Sequence, residues 1–200
     1  MEKIVVATSN AKKCKEILAI LQDVEVLTLK DIGYSAEIEE NGKTFSENAF
    51  IKARTIFTYL KGEYTVIADD SGLCVYALNY EPSIYSARYS GVQGEEKDRA
   101  NNCLLLKKMQ GIADRRAFFE TAIAVCHKNG QEFCAIGRTE GDIMQEARGE
   151  NGFGYDPLFF SYDLQKTFAE ATSAEKNSVS HRKRALEQVA KFLHNVYSNK

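Results

Sequence analysis

The chain has 200 residues, a formal net charge of −2, and a composition of 44% hydrophobic and 27% charged residues. That balance belongs to a folded domain with a real core, and it excludes a globally basic nucleic-acid binder while leaving room for local basic pockets. The apolar run at residues 4–7 is too short for a signal peptide and no stretch approaches membrane-spanning length, so a cytoplasmic protein with neither membrane nor nucleic acid as partner is expected.

In chain order, Ile4-Val5-Val6-Ala7 reads as a buried strand. Cys14, Ile17, Leu18 and Leu21 recur at i, i+3, i+4 and i+7, which predicts a helix from about Ala11. Residues 24–29 form a candidate second strand. Thr44-Phe45-Ser46-Glu47 has the capping-box form and opens a predicted helix with Phe45, Ala49, Ala53, Ile56, Phe57 and Leu60 on one face. Residues 65–68 and 73–78 read as two strands parted by an Asp69-Asp70-Ser71-Gly72 turn. Residues 95–109 read as helix, with Ala100, Cys103, Leu104 and Lys107 along one side. Residues 116–141 form a predicted long hairpin around Asn129-Gly130, a strong two-residue turn signal. From Ser180 a final amphipathic helix turns Leu186, Val189, Leu193 and Val196 inward. Strand–helix alternation followed by a hairpin predicts an α/β fold with a mixed sheet. With no repeat or Pro-rich linker, residues 1–200 read as one domain. Cys14, Cys74, Cys103, Cys126 and Cys134 are odd in number and lack a C-x-x-C pair, so they read as small core residues. His127, His181 and His194 have no metal-ligand spacing.

Two helix starts carry the wrong charge. The positive end of a helix favours acids, yet Lys12 and Lys13 open the first helix, and His181, Arg182, Lys183 and Arg184 open the last. With the hydroxyl-rich turn Thr8-Ser9-Asn10, the first reads either as a phosphate cradle or as a simple Ser9 or Asn10 cap with solvated lysines. No Walker A loop is present. The repetition at the last helix favours two walls of one polyanion site.

Facing these bases are Glu39-Glu40 and the Asp69-Asp70 pair. Acids opposite bases are the layout of metal-assisted phosphoryl chemistry, with a hard divalent ion held by a few carboxylates. Asp-Asp-Ser-Gly is equally a set of turn formers. Neighbouring strand residues point to opposite faces, so the two aspartates converge only if the strand ends there. In "GENGFGYDPLFF" the glycines permit close backbone approach, Phe153 and Tyr155 are candidates for stacking on a base, and Asp156 for accepting from a ring N–H. Alternatively the aromatics enter the core.

Taken together, "ATSNAKK", "EENGKTFSENAFIKA", "ADDSGL", "IYSARYSG", "GFGYDPLFF" and "TFAEATSAEKNSVSHRKRAL" closely resemble, in order and nearly end to end, the inosine triphosphate pyrophosphatases, or non-canonical purine nucleoside triphosphate pyrophosphatases. The resemblance implies hydrolysis of ITP, dITP and XTP to the monophosphate and pyrophosphate with Mg2+. It also implies a long twisted mixed sheet flanked by helices, two lobes with a central cleft, and a homodimer. It puts Thr8, Ser9, Asn10, Ala11, Lys12 and Lys13 around the triphosphate, and Glu40, Asp69 and Asp70 at the metal, with Asp70 the proton acceptor. Lys52 and Ser71 fall at further substrate positions. Phe153, Gly154, Tyr155 and Asp156 form the base-recognition loop, with Lys176, His181 and Arg182 closing over base and phosphates. Arg182 would meet the 6-keto oxygen. Ser9 stands where glycine is common in the family, and Lys12 and Lys183 where small residues are.

Overall fold

The structure is a computed structural model and describes residues 3–21 and 24–198. Its strands are β1 (Lys3–Val6), β2 (Glu25–Thr28), β3 (Thr65–Val75), β4 (Arg116–Cys126), β5 (Glu132–Ile143), β6 (Phe159–Ser161) and β7 (Lys166–Thr167). The helices are α1 (Ala11–Ile20), α2 (Phe45–Tyr59), α3 (Lys97–Lys108), α4 (Ser173–Val179) and α5 (His181–Ser198), with 3₁₀ segments at Tyr76–Leu78 and Ser83–Arg88. The strands follow the order β2-β1-β3-β4-β5-β6-β7 in one sheet. β1 runs parallel to β2 and β3, whereas β6 is antiparallel to β5 and β7. This is the expected mixed α/β sheet. Among the described residues no helix is long and apolar enough to cross a membrane.

The chain divides into two compact units. The first comprises the residues up to Asp70, Thr121–Gly137, and those from Arg182 on. Its core joins Ile4 and Val6 of β1, Ile67 of β3, and Ile123 and Val125 of β4 to Ile17 of α1 and Leu186, Val189 and Leu193 of α5. The second comprises Ser71–Glu120 and Arg138–His181. Leu73, Val75, Leu105, Met109, Phe119, Leu158, Phe159 and Phe168 fill it. Each such side chain contributes about 1.5–3 kcal/mol on leaving water.

Several expectations need correction. β3 runs unbroken from Thr65 to Val75, so there is no Asp-Asp-Ser-Gly turn. Local turn preference loses to burial, since all but one residue of the strand is buried. Gly72 is there for clearance: a Cβ would lie 2.3 Å from Ser86 Oγ and 2.5 Å from the Ser83 carbonyl. In α3, which contains Ala100, Cys103, Leu104 and Lys107, the buried side chains are Asn101 and Leu105. Cys103 and Leu18 are exposed rather than core, and only Cys74 and Cys126 of the five cysteines are buried. α4 escapes the sequence reading altogether, although Thr172-Ser173-Ala174-Glu175 is a complete capping box of the kind sought at Thr44.

Candidate active site

Successive residues of the continuous β3 face opposite ways, and the two aspartates have different nearest partners, although both feel the charges of Lys13 and Lys52. Asp69 meets cations from both helix starts singled out in the sequence. Lys13 Nζ of α1 lies 2.7 Å from Asp69 Oδ1, a close ion pair without hydrogen-bond alignment. Arg182 of α5 donates to Asp69 Oδ2 from Nε at 3.2 Å and Nη2 at 3.1 Å, and its Nη1 meets Glu16 of α1. Thr121 Oγ1 adds a donor to the same oxygen at 2.7 Å. Burial alone would raise the Asp69 carboxyl, but Arg182 and Lys13 overcome it and hold the group well below the usual carboxylate range. Arg182, itself fully buried, is kept charged by Asp69 and Glu16 against its own desolvation. The missing first-turn acids of α1 and α5 are thus replaced by carboxylates brought in from elsewhere in the chain.

At the start of α1 the cap alternative holds for Asn10. Its Oδ1 accepts from Lys12 N at 3.0 Å and Lys13 N at 3.2 Å, so both amides are satisfied within the helix. Thr8 is half-buried, and Ser9, Asn10, Ala11 and Lys12 are exposed.

Asp70 has a different setting. Lys52, on the buried face of α2, places Nζ 2.8 Å from Glu40 Oε2 and 3.3 Å from Asp70 Oδ1. The chain brings Glu40 there through backbone bonds at the α2 start. Gly42 N donates to Asn48 Oδ1 at 2.8 Å, Lys43 N to Glu47 Oε2 at 2.5 Å, and Glu47 N to the Thr44 cap at 3.1 Å. Burial raises the Asp70 carboxyl above its ordinary value and wins over Lys52 and Lys13, helped by Glu40 and Asp69. Lys52 is desolvated too, yet Asp70 and Glu40 hold its pKa up. Asp70 Oδ2 is buried without a hydrogen-bond partner among the described residues.

These positions bear on metal binding. Glu40 Oε2 and Asp70 Oδ1 converge on one cationic centre, now the Lys52 ammonium. Two carboxylates fit a divalent ion that shares its shell with phosphates. Asp69 faces Lys13 and Arg182, and among the described residues no group of three or more His, Cys, Asp or Glu side chains is placed to hold a metal.

The glycine-rich loop lies in the second unit. Asp156 is buried and its Oδ2 accepts from Phe153 N at 2.9 Å and Lys176 Nζ at 2.7 Å. It ties the loop to α4. Tyr155 enters the core, as the second alternative has it, with its hydroxyl donating to the Ser86 carbonyl at 2.9 Å. Phe153 stays half-buried, with Lys176 Nζ 4.7 Å from its ring centre. His181 stacks on Phe119 at 5.0 Å.

With this geometry in hand, comparison with known proteins decides the family. The model of the Ham1 family matches residues 4–192. The chain belongs to the Ham1 family. A Clostridium perfringens relative named dITP/XTP pyrophosphatase is 46% identical over 98% of this chain and 99% of its own. A Bacillus licheniformis relative of the same name is 46% identical over 96% and 98%. Among solved structures, the Staphylococcus aureus Ham1 protein superposes with a TM-score of 0.85 at 40% identity, covering 97% of this chain and 99% of its own. A Coxiella burnetii HAM1 protein gives 0.86 at 37%, covering 98% and 100%.

The structure adds residues to this Ham1 chain that the sequence reading missed. Glu16 and Thr121 complete the Asp69 network, and Ser86 receives Tyr155. Glu16 was legible as the first acid after two lysines in α1. Thr121 had no signal of its own. The Arg182 guanidinium is engaged by two carboxylates, Glu16 and Asp69.

Proposed function

We propose that this Ham1 chain hydrolyses non-canonical purine nucleoside triphosphates, dITP, XTP and ITP, between the α- and β-phosphates, releasing the nucleoside monophosphate and pyrophosphate. The relatives' shared name supports the substrate class. The observation that carries the chemistry is the Asp70 carboxylate, buried, raised in pKa and bonded through one oxygen only. A carboxylate of raised pKa is a stronger proton acceptor than an ordinary one, and Asp70 Oδ2 takes the proton of the attacking water. Asp69 is too acidic for that task. It anchors Lys13 and Arg182 instead.

Glu40 and Asp70 are the residues that would hold Mg2+, which when bound supplies charge neutralisation at the phosphates. Lys52 and Lys13 stabilise charge on the phosphate oxygens, electrostatic help from prepositioned groups. The 8–13 turn faces the triphosphate, and Phe153 offers its half-buried ring to the purine. The same reading makes the protein a cytoplasmic homodimer acting on free nucleotides, independent of nucleic acid and membrane.

The test is product analysis. Incubation with dITP, XTP, ITP, GTP and ATP plus Mg2+ is expected to give monophosphate and pyrophosphate from the first three. Diphosphate and inorganic phosphate would point to γ-phosphate cleavage and overturn the assignment.

A further inference from the structure

α3 carries Asp98, Asn101 and Asn102 at i, i+3 and i+4, hence on one side of the helix. Asp98 Oδ2 accepts the N–H of Gly154 at 2.9 Å, and Asn102 Nδ2 donates to the Gly154 carbonyl at 3.0 Å. That second bond fixes which end of the Asn102 amide is which. Asn101 holds the neighbouring segment, with Oδ1 accepting from Ser90 N at 2.8 Å and Nδ2 donating to the Ser86 carbonyl at 3.2 Å. The Ser86 carbonyl is also the one that receives Tyr155. One helix face therefore grips the loop at Gly154 and supports Tyr155 next to it.

Gly154 is where such a grip has most effect. Its φ is +61°, and nothing lies within 4 Å of where a Cβ would sit. Glycine is used there for backbone freedom rather than clearance, which makes it the loosest residue of the loop. Both of its hydrogen-bonding groups are nevertheless held, and from a single element. Phe153 precedes it directly and shares the peptide whose N–H Asp98 holds, so that bond restricts the backbone that carries the Phe153 ring.

We propose that Asp98 and Asn102 are positioning residues for purine selection, fixing the peptides on either side of Gly154 so that the loop presents one rigid surface to the base. They act through Gly154 and touch neither Asp70 nor the phosphate-side lysines. The proposal rests on the pyrophosphatase reading above, and it predicts a loss of binding and discrimination without loss of chemistry.

The experiment compares the wild-type chain with Asp98→Ala, Asp98→Asn and Asn102→Asp. Pyrophosphate release from dITP, XTP, GTP and ATP gives kcat and KM, and amide exchange at Gly154 reads the grip without nucleotide. Asp98→Ala is expected to raise KM for dITP and XTP about tenfold, the effect of one charge-assisted hydrogen bond, and to speed Gly154 exchange. kcat should stay within about twofold. Asn102→Asp, which sets a carboxylate against the carbonyl, should do the same, while Asp98→Asn keeps an acceptor oxygen and restores most of the wild-type KM. A lower kcat and melting temperature at unchanged KM, or unchanged kinetics in both disruptive variants, overturns the proposal alone. Absence of pyrophosphate release by the wild-type chain overturns the functional reading and the proposal together.

Discussion

Asp69 and Asp70 are adjacent on one strand and both buried, yet they differ in almost every other respect. Asp69 is surrounded by Arg182, Lys13 and Thr121 and is held at low pKa. Asp70 shares the Lys52 ammonium with Glu40, keeps one oxygen without a partner, and has its pKa raised. The contrast shows how one chemical group serves two ends. A buried carboxylate matched by enough cations becomes a fixed counter-ion, whereas one matched incompletely retains affinity for a proton or a metal.

The sharpest way to break this comparison is to neutralise each partner in turn. Asp70→Asn should lower turnover by about 10²–10⁴-fold, the range of a lost general base, while nucleotide binding and the unfolding midpoint hold. Near-normal turnover would sink the assignment. Asp69→Asn should instead cost about 3–5 kcal/mol of stability, because it strips the buried Arg182 of one of its two counter-charges. Denaturant titration measures it, and a change below about 1 kcal/mol would make Asp69 no anchor at all. A smaller effect concerns the metal. Mg2+ should raise the melting temperature of the wild type and of Asp69→Asn, but not of Glu40→Gln or Asp70→Asn. A response lost only in Asp69→Asn would reverse the assignment.

The smallest effect comes from a paired acid at the surface. The Lys166 ammonium and the Thr172 amide and hydroxyl depress the Glu175 carboxyl from 4.5 to about 2. A depressed folded value means the contribution is present above about pH 4.5 and is lost as pH falls toward 2. Glu175→Gln should flatten stability against pH in that window alone, and only slightly, because exposed pairs are weak. An equal loss at pH 7 and pH 2 would show that charge is not the cause.

Much of the fold was legible because it is written in local pattern. The 3.6-residue spacing gave α1, α2 and α5, and Asn129-Gly130 gave the hairpin of β4 and β5. What failed was decided at a distance. Asp-Asp-Ser-Gly looks like a turn in isolation, but Arg182 reaches Asp69 across 113 residues of sequence and Thr121 across 52, and these contacts let the strand continue. The α3 face was misjudged because Asn101 and Asp98 point toward backbone groups of other segments, where polarity is an advantage. In the site, the acids and bases stood out by residue type. Their pairing did not, since spacing along the chain says nothing of which cation meets which acid.

The chain passes between the two units at Asp70–Ser71, Glu120–Thr121, Gly137–Arg138 and His181–Arg182. Three of these crossings fall inside β3, β4 and β5. Neither unit is therefore a continuous length of gene. A fragment ending at Asp70 would lack Ile123, Val125, Ala135, Ala185, Leu186, Val189 and Leu193, most of the buried lining of its own core. Genetic dissection into halves, domain shuffling and stepwise folding during synthesis are all closed to such a chain. In chain order, the part of α5 that belongs to the first unit, from Arg182 on, follows the whole of the second unit.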